Sequence, residues 1–175
     1  MKKVLLALTL AFILTAGSAF AEDPRPDKFG IGVVGRYGGS WYSGSIAYPG
    51  LALSLKIPNL PVYWGIDADL HDGWFGTGVT ADFWNIVGVE INPVFGWYLD
   101  FGLYAGLGVG ENILNIDFGV RLPIGFTIQP LDFLEVFIAW APRFGLGIRV
   151  RDGNNNDKIY FGGGWPIEIG VRFWL

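Results

Sequence analysis

The chain has 175 residues, of which 51% are hydrophobic and only 16% are charged, whereas soluble domains carry about 25% charged residues. It contains no cysteine and one histidine, which excludes disulfides and thiolate sites and leaves too few ligands for a histidine metal site. The formal net charge of −4 argues against nucleic acid as a partner. No metal and no cofactor are therefore expected.

The first 21 residues have the pattern of a cleavable signal peptide. Lys2 and Lys3 form its basic region, residues 4–14 its apolar run, and the small residues at 18–21 its cleavage site. The alternative is a membrane anchor, but the apolar run is short and a polar stretch follows it at once. The sequence thus predicts a signal peptide at 1–21 and a single exported domain at 22–175.

From residue 28 onward, hydrophobic and polar residues alternate with the period of a β-strand. Eight strands are predicted, at 28–37, 46–57, 62–70, 76–84, 97–109, 116–129, 134–150 and 165–175. Most connections are too short for a parallel crossover, so neighbouring strands are expected to be antiparallel. Only the stretch 85–96 is longer, and it could contain a short helix or an additional strand. The predicted fold is all-β, an eight-stranded antiparallel up-and-down barrel.

The composition of the polar face indicates which side of the barrel points inward. It consists mostly of glycine, with Asp, Arg and Tyr at intervals, and small residues suit a crowded interior. The apolar face carries aromatic residues near strand ends, as in the aromatic girdles of membrane barrels, and several strands reach the 9 to 11 residues needed to cross a bilayer. These aromatic residues are Phe29, Tyr37, Trp97, Trp140, Trp165 and Phe173. We therefore expect a transmembrane barrel with its apolar face in lipid.

The signal peptide, the alternating strands and the terminal run WPIEIGVRFWL together resemble the small outer-membrane barrels of the OmpA, OmpX, Ail and OmpW type. This resemblance implies the outer membrane of a Gram-negative-type envelope, with both termini in the periplasm. It also implies that the barrel-insertion machinery reads Val171, Phe173 and Leu175 as a C-terminal signal, although such barrels typically end on an aromatic residue. The expected partners are outer-membrane lipid and this machinery, and the expected state is a monomer.

The interior of an eight-stranded barrel is just wide enough for side chains, so charged groups on the polar face should pair with one another. The predicted interior network comprises Arg36, Lys56, Asp67, Asp69, Asp82, Asp100, Asp117, Arg121, Glu135, Arg143, Arg149, Glu168 and Arg172. An alternative is a proton or cation path along Asp67, Asp69 and Asp82, which requires acids without a basic partner.

The function favoured by the sequence is non-enzymatic: envelope integrity, or contact with an unknown extracellular ligand through the exposed hairpin tips. A narrow ion or small-solute pore is the second possibility. A lipid-modifying enzyme would use His71 with a serine and an acid, but no GxSxG elbow is present. A soluble periplasmic lipid carrier is the main alternative fold, and it would turn its apolar face inward around a cavity.

Overall fold

The computed structural model describes residues 25–39, 48–71, 73–92, 94–151 and 158–175. The predicted signal peptide and the loops GGSWYSGS and DGNNND lie wholly or mostly outside these residues. Eleven strands and no helix occur in the described part of the chain. The strands are β1 (Gly30–Gly38), β2 (Tyr48–Lys56), β3 (Val62–His71), β4 (Trp74–Asn92), β5 (Phe95–Gly110), β6 (Ile113–Arg121), β7 (Ile124–Leu131), β8 (Leu134–Trp140), β9 (Arg143–Arg151), β10 (Lys158–Gly164) and β11 (Ile167–Trp174).

Six of these elements are halves of three longer strands. The pairs β6 with β7, β8 with β9, and β10 with β11 are each interrupted at a two-residue step that contains Pro123, Pro142 or Pro166. Proline has no amide hydrogen to donate to a β-ladder, so a short break falls at each of these positions. The inward and outward alternation continues across all three breaks. The described chain therefore forms eight barrel strands.

The strands pair in a closed antiparallel ring. Strands β1 to β5 follow one another as neighbours, and β5 then pairs with β6 through its second half and with β7 through its first half. From β7 the sheet continues through β8 and β11 and returns to β1. The prediction of an eight-stranded antiparallel barrel is confirmed.

The prediction of a long connection at 85–96 is wrong. Strand β4 continues to Asn92 and β5 begins at Phe95, so that a tight turn joins them. Between Phe83 and Val87, β4 advances four residues while β5 advances only two, from Phe101 to Leu99. This bulge interrupts the period-two pattern, and the strand beyond it therefore looked like a loop in the sequence.

The apolar side chains point away from the barrel axis on all eight strands. Ile66 and Val79 are each 49% exposed, and Ile169 is 57% exposed. Burial alternates residue by residue along β11, and its exposed positions are the apolar ones. An apolar exterior around a polar interior is the reverse of what a soluble lipid carrier requires, so that alternative fold is contradicted. No helix in the described residues is long and apolar enough to cross a membrane.

The two ends of the barrel are distinguished by the chain termini. At the lower end, Phe29 and Leu175 exchange two backbone hydrogen bonds, and the turn at 57–61 lies at this end. At the upper end lie the turns at Gly73 and at Glu111 and Asn112. The interior between these two ends holds the charged groups.

Candidate functional site

The lower end of the interior is organised around Glu135, whose side chain is 2% exposed. Its carboxylate accepts hydrogen bonds from Arg172 at 3.2 Å, from the indole Nε1 of Trp174 at 2.9 Å and from Arg25 at 3.3 Å. The hydroxyl of Thr127 donates a further bond at 3.3 Å. The two arginines and Trp174 thus satisfy a carboxylate that is almost fully buried. We call Arg25, Glu135, Arg172 and Trp174 the lower cluster.

Aromatic rings complete the lower cluster. The guanidinium carbon of Arg172 lies 4.4 Å from the ring centre of Tyr63 and 4.9 Å from that of Phe137, and its Nη2 donates to Ser54 Oγ at 3.0 Å. Arg25, which precedes the first strand, lies 4.4 Å from the ring centre of Trp174. These cation–π contacts stabilise the buried charges.

A second group of ion pairs lies at mid-height. Arg121 donates to Glu168 at 2.7 Å, and its Nε lies 3.1 Å from Asp82. Arg143 approaches the other oxygen of Glu168 at 3.8 Å. Arg121 is 2% exposed and Glu168 7% exposed, so their mutual attraction is only weakly screened by water.

A third group lies nearer the upper end, where Arg36 bridges two acids of β3. Its guanidinium donates to Asp67 at 2.5 Å and to Asp69 at 3.1 Å. Asp82, the third acid of the predicted cation path, has Arg121 at 3.1 Å. Each of the three acids therefore has an arginine nitrogen within hydrogen-bond distance, and the hypothesis that they form a proton or cation path is contradicted.

The remaining residues of the predicted network occupy different depths. Lys56 is fully buried and donates to the carbonyl of Ile57 at 3.1 Å, and Asp100 is 3% exposed. Asp117 is half-buried on β6. Arg149, in contrast, is exposed and donates to Asn115 at 3.1 Å. Its expected interior position is wrong because the upper half of β9 lies at the rim of the barrel.

Six residues of the lower cluster and its surroundings were not predicted as site residues, namely Arg25, Ser54, Tyr63, Thr127, Phe137 and Trp174. Tyr63 and Trp174 share the phase of the charged residues on their strands, so the alternation itself contained the signal for their inward position. Arg25 lies outside any strand pattern, and its role follows only from the folded chain.

Other candidate residues of the sequence lie elsewhere. The side chain of His71, Asp72 and the serines at 40, 43 and 45 fall outside the described residues. In the part of the chain that the structure describes, no three His, Cys, Asp or Glu side chains are arranged to hold a metal ion. Val171, Phe173 and Leu175 point outward at the lower end of the barrel, and all three are exposed.

The fold and its interior define a class: an eight-stranded antiparallel barrel with an apolar exterior and an ion-paired interior. No protein-family model and no curated protein matches the sequence. Solved structures similar to the chain include the crystal structure of Neisserial surface protein A, at 13% identity and a TM-score of 0.46, over 83% of this chain and 95% of that one. They also include the KdgM porin in complex with disordered oligogalacturonate, at 14% identity and a TM-score of 0.29, over 81% and 98% of the two chains. The fold assignment rests on the strand pairings of this chain.

Proposed function

We propose that the protein is a monomeric, non-enzymatic barrel that spans the outer membrane, and that it contributes to envelope integrity or to contacts at the cell surface. The observation that carries the proposal is the apolar exterior. Each of the eight barrel strands turns large hydrophobic side chains outward, and soluble monomers rarely expose apolar patches beyond a few hundred Å². A bilayer is the solvent in which this surface is stable.

Ring closure supports the same proposal. In hydrocarbon, every backbone N–H and C=O must be satisfied within the protein, which restricts spanning structures to helices and closed barrels. Strand β1 pairs with both β2 and β11, and β5 pairs with β4, β6 and β7. Export by the predicted signal peptide and insertion through the C-terminal signal are part of the proposal.

The ion-paired interior favours a structural role over conduction. The lower cluster occupies the barrel where its end would otherwise open, and the charged groups at mid-height are held by short contacts. A conducting path would require several of these buried ion pairs to separate, which is costly in a water-poor interior. The surfaces left for contacts are the hairpin tips and the upper rim.

Heat modifiability together with cell fractionation tests the proposal. The mature protein, refolded in detergent, should migrate differently on SDS gels before and after boiling, and the full-length protein should be recovered in the outer membrane of expressing cells. Recovery as a detergent-independent protein in the periplasm would contradict the proposal.

Deletion of the gene should sensitise cells to detergents, and plasmid-borne protein should restore resistance. An unchanged sensitivity to detergents would leave surface contact as the function to examine.

A further inference from the structure

A cavity of about 280 Å³ lies inside the upper part of the barrel. Its lining includes the polar side chains of Arg36, Asp69, Tyr104, Asp117 and Arg143, together with glycines of β1 and β10. Because glycines occupy positions where other residues would project inward, the space is not filled by side chains. Liquid water occupies about 30 Å³ per molecule, so the cavity has room for roughly nine waters or for one small organic molecule.

Several polar groups of this cavity are buried and lack a partner. Tyr104 is 5% exposed, and its hydroxyl makes no hydrogen bond with the described residues. The Nε and Nη2 groups of Arg143 are likewise buried and make no hydrogen bond with the described residues. Nη2 lies 3.8 Å from a carboxylate oxygen of Glu168, which is an ion-pair distance too long for a hydrogen bond, and the guanidinium carbon lies 5.4 Å from the centre of the Tyr104 ring. Since buried polar groups are nearly always hydrogen-bonded, these donors are suited to bind an acceptor within the cavity.

The same cavity contains an acid that receives no hydrogen bond from the described residues. The carboxylate of Asp117 lies against Gly106 on the neighbouring strand, and it makes no hydrogen bond or ion pair with any residue that the structure describes. Asp69, which also lines the cavity, shares Arg36 with Asp67. The cavity thus offers cationic donors on β9 and a carboxylate on β6 that make no hydrogen bonds with the described residues.

We propose that this cavity binds a small zwitterion that carries one carboxylate and one ammonium group. The ligand carboxylate accepts hydrogen bonds from Arg143 and from the Tyr104 hydroxyl, and the ligand ammonium group donates to Asp117. A simple anion would leave the Asp117 carboxylate without a hydrogen-bond donor, and a simple cation would leave the Arg143 donors without an acceptor. A molecule with both charges supplies hydrogen-bond partners to the two sides of the cavity at once.

Titration calorimetry on the barrel refolded in detergent tests this proposal with ω-amino acids of increasing length, from glycine to 6-aminohexanoate. One length is expected to bind in a saturable 1:1 manner, at least about tenfold more tightly than a carboxylate and an amine of matched size, such as butyrate and butylammonium. Saturable binding of butyrate or butylammonium at equal strength, or no binding of any probe, would overturn the proposal and leave a water-filled cavity.

Three variants locate the binding. Tyr104→Phe removes only the hydroxyl and keeps the ring, so it should fold and weaken binding of the zwitterion at least threefold. Asp117→Asn should weaken binding of the zwitterion at least tenfold. Asp27→Asn, an exposed carboxylate at the lower end, is the control and should bind as the unaltered barrel does. Unchanged affinity in the Tyr104 and Asp117 variants, with heat modifiability retained, would place any binding elsewhere and overturn the proposal.

Discussion

Replacement of Glu135 by glutamine should destabilise the barrel substantially. The carboxylate is 2% exposed and lies within 3.3 Å of donors on Arg25, Arg172 and Trp174. The substitution leaves the buried Arg172 without its counterion, and breaking a buried ion pair at one partner costs about 3 to 5 kcal/mol. Arg172 retains Ser54 and two aromatic rings within reach, so we expect a loss near the lower limit, about 3 kcal/mol.

Urea unfolding of the barrel in lipid vesicles, followed by tryptophan fluorescence, measures this free energy. Glu111→Gln, at an exposed turn residue, is the matched control and should change stability by less than about 0.5 kcal/mol. Glu135→Gln combined with Arg172→Met should lose less than the sum of the two single losses, because the two residues interact directly. A loss below about 1 kcal/mol for Glu135→Gln, or strict additivity in the double variant, would refute the view that the lower cluster stabilises the barrel.

Three further predictions concern packing and conduction. Gly32→Ala should destabilise the barrel by about 1 to 3 kcal/mol in urea unfolding, because a Cβ there would clash with the backbone carbonyl oxygen of Val171. Gly35→Ala on the same strand should be tolerated, because its Cβ would meet nothing closer than 3.8 Å. Equal losses of stability in the two variants would contradict this account of the packing. Trp174→Phe should cost about 1.5 kcal/mol in the same assay, because Glu135 loses a charge-assisted hydrogen bond, and an unchanged midpoint would argue against that bond. In planar bilayers the unaltered barrel should show no conductance steps, and reproducible steps would favour the pore function instead.

The number and order of the barrel strands could be predicted from the sequence because each inward position is followed by an outward one. The same alternation places Tyr63 and Trp174 beside the charged residues, although their contacts with Arg172 and Glu135 were not predicted. Short turns then require antiparallel neighbours. These are local properties, which the sequence encodes directly.

Two kinds of feature could not be predicted in this way. In the bulge of β4, residues 84–86 lie opposite a single residue of β5. This shift in register depends on the partner strand rather than on the local sequence pattern. The partners of individual charges depend on long-range geometry: Arg121 on β6 contacts Glu168 on β11, and Arg25 reaches Glu135 from outside the strands. The cavity at the upper end arises where glycines of β1 and β10 lie at the same level, which neither strand reveals alone.

Contact between the apolar exterior and lipid acyl chains is the central claim, and a single introduced cysteine tests it because the chain has none of its own. Ile66→Cys lies midway along β3 on the outward face, and Asp132→Cys, in the turn between β7 and β8, is the control. Each variant is labelled with a small fluorophore and reconstituted in vesicles whose lipids carry bromine in the middle of the acyl chain. Strong quenching at position 66 and weak quenching at position 132 are predicted. Equal fluorescence at position 66 with and without brominated lipid would contradict the account.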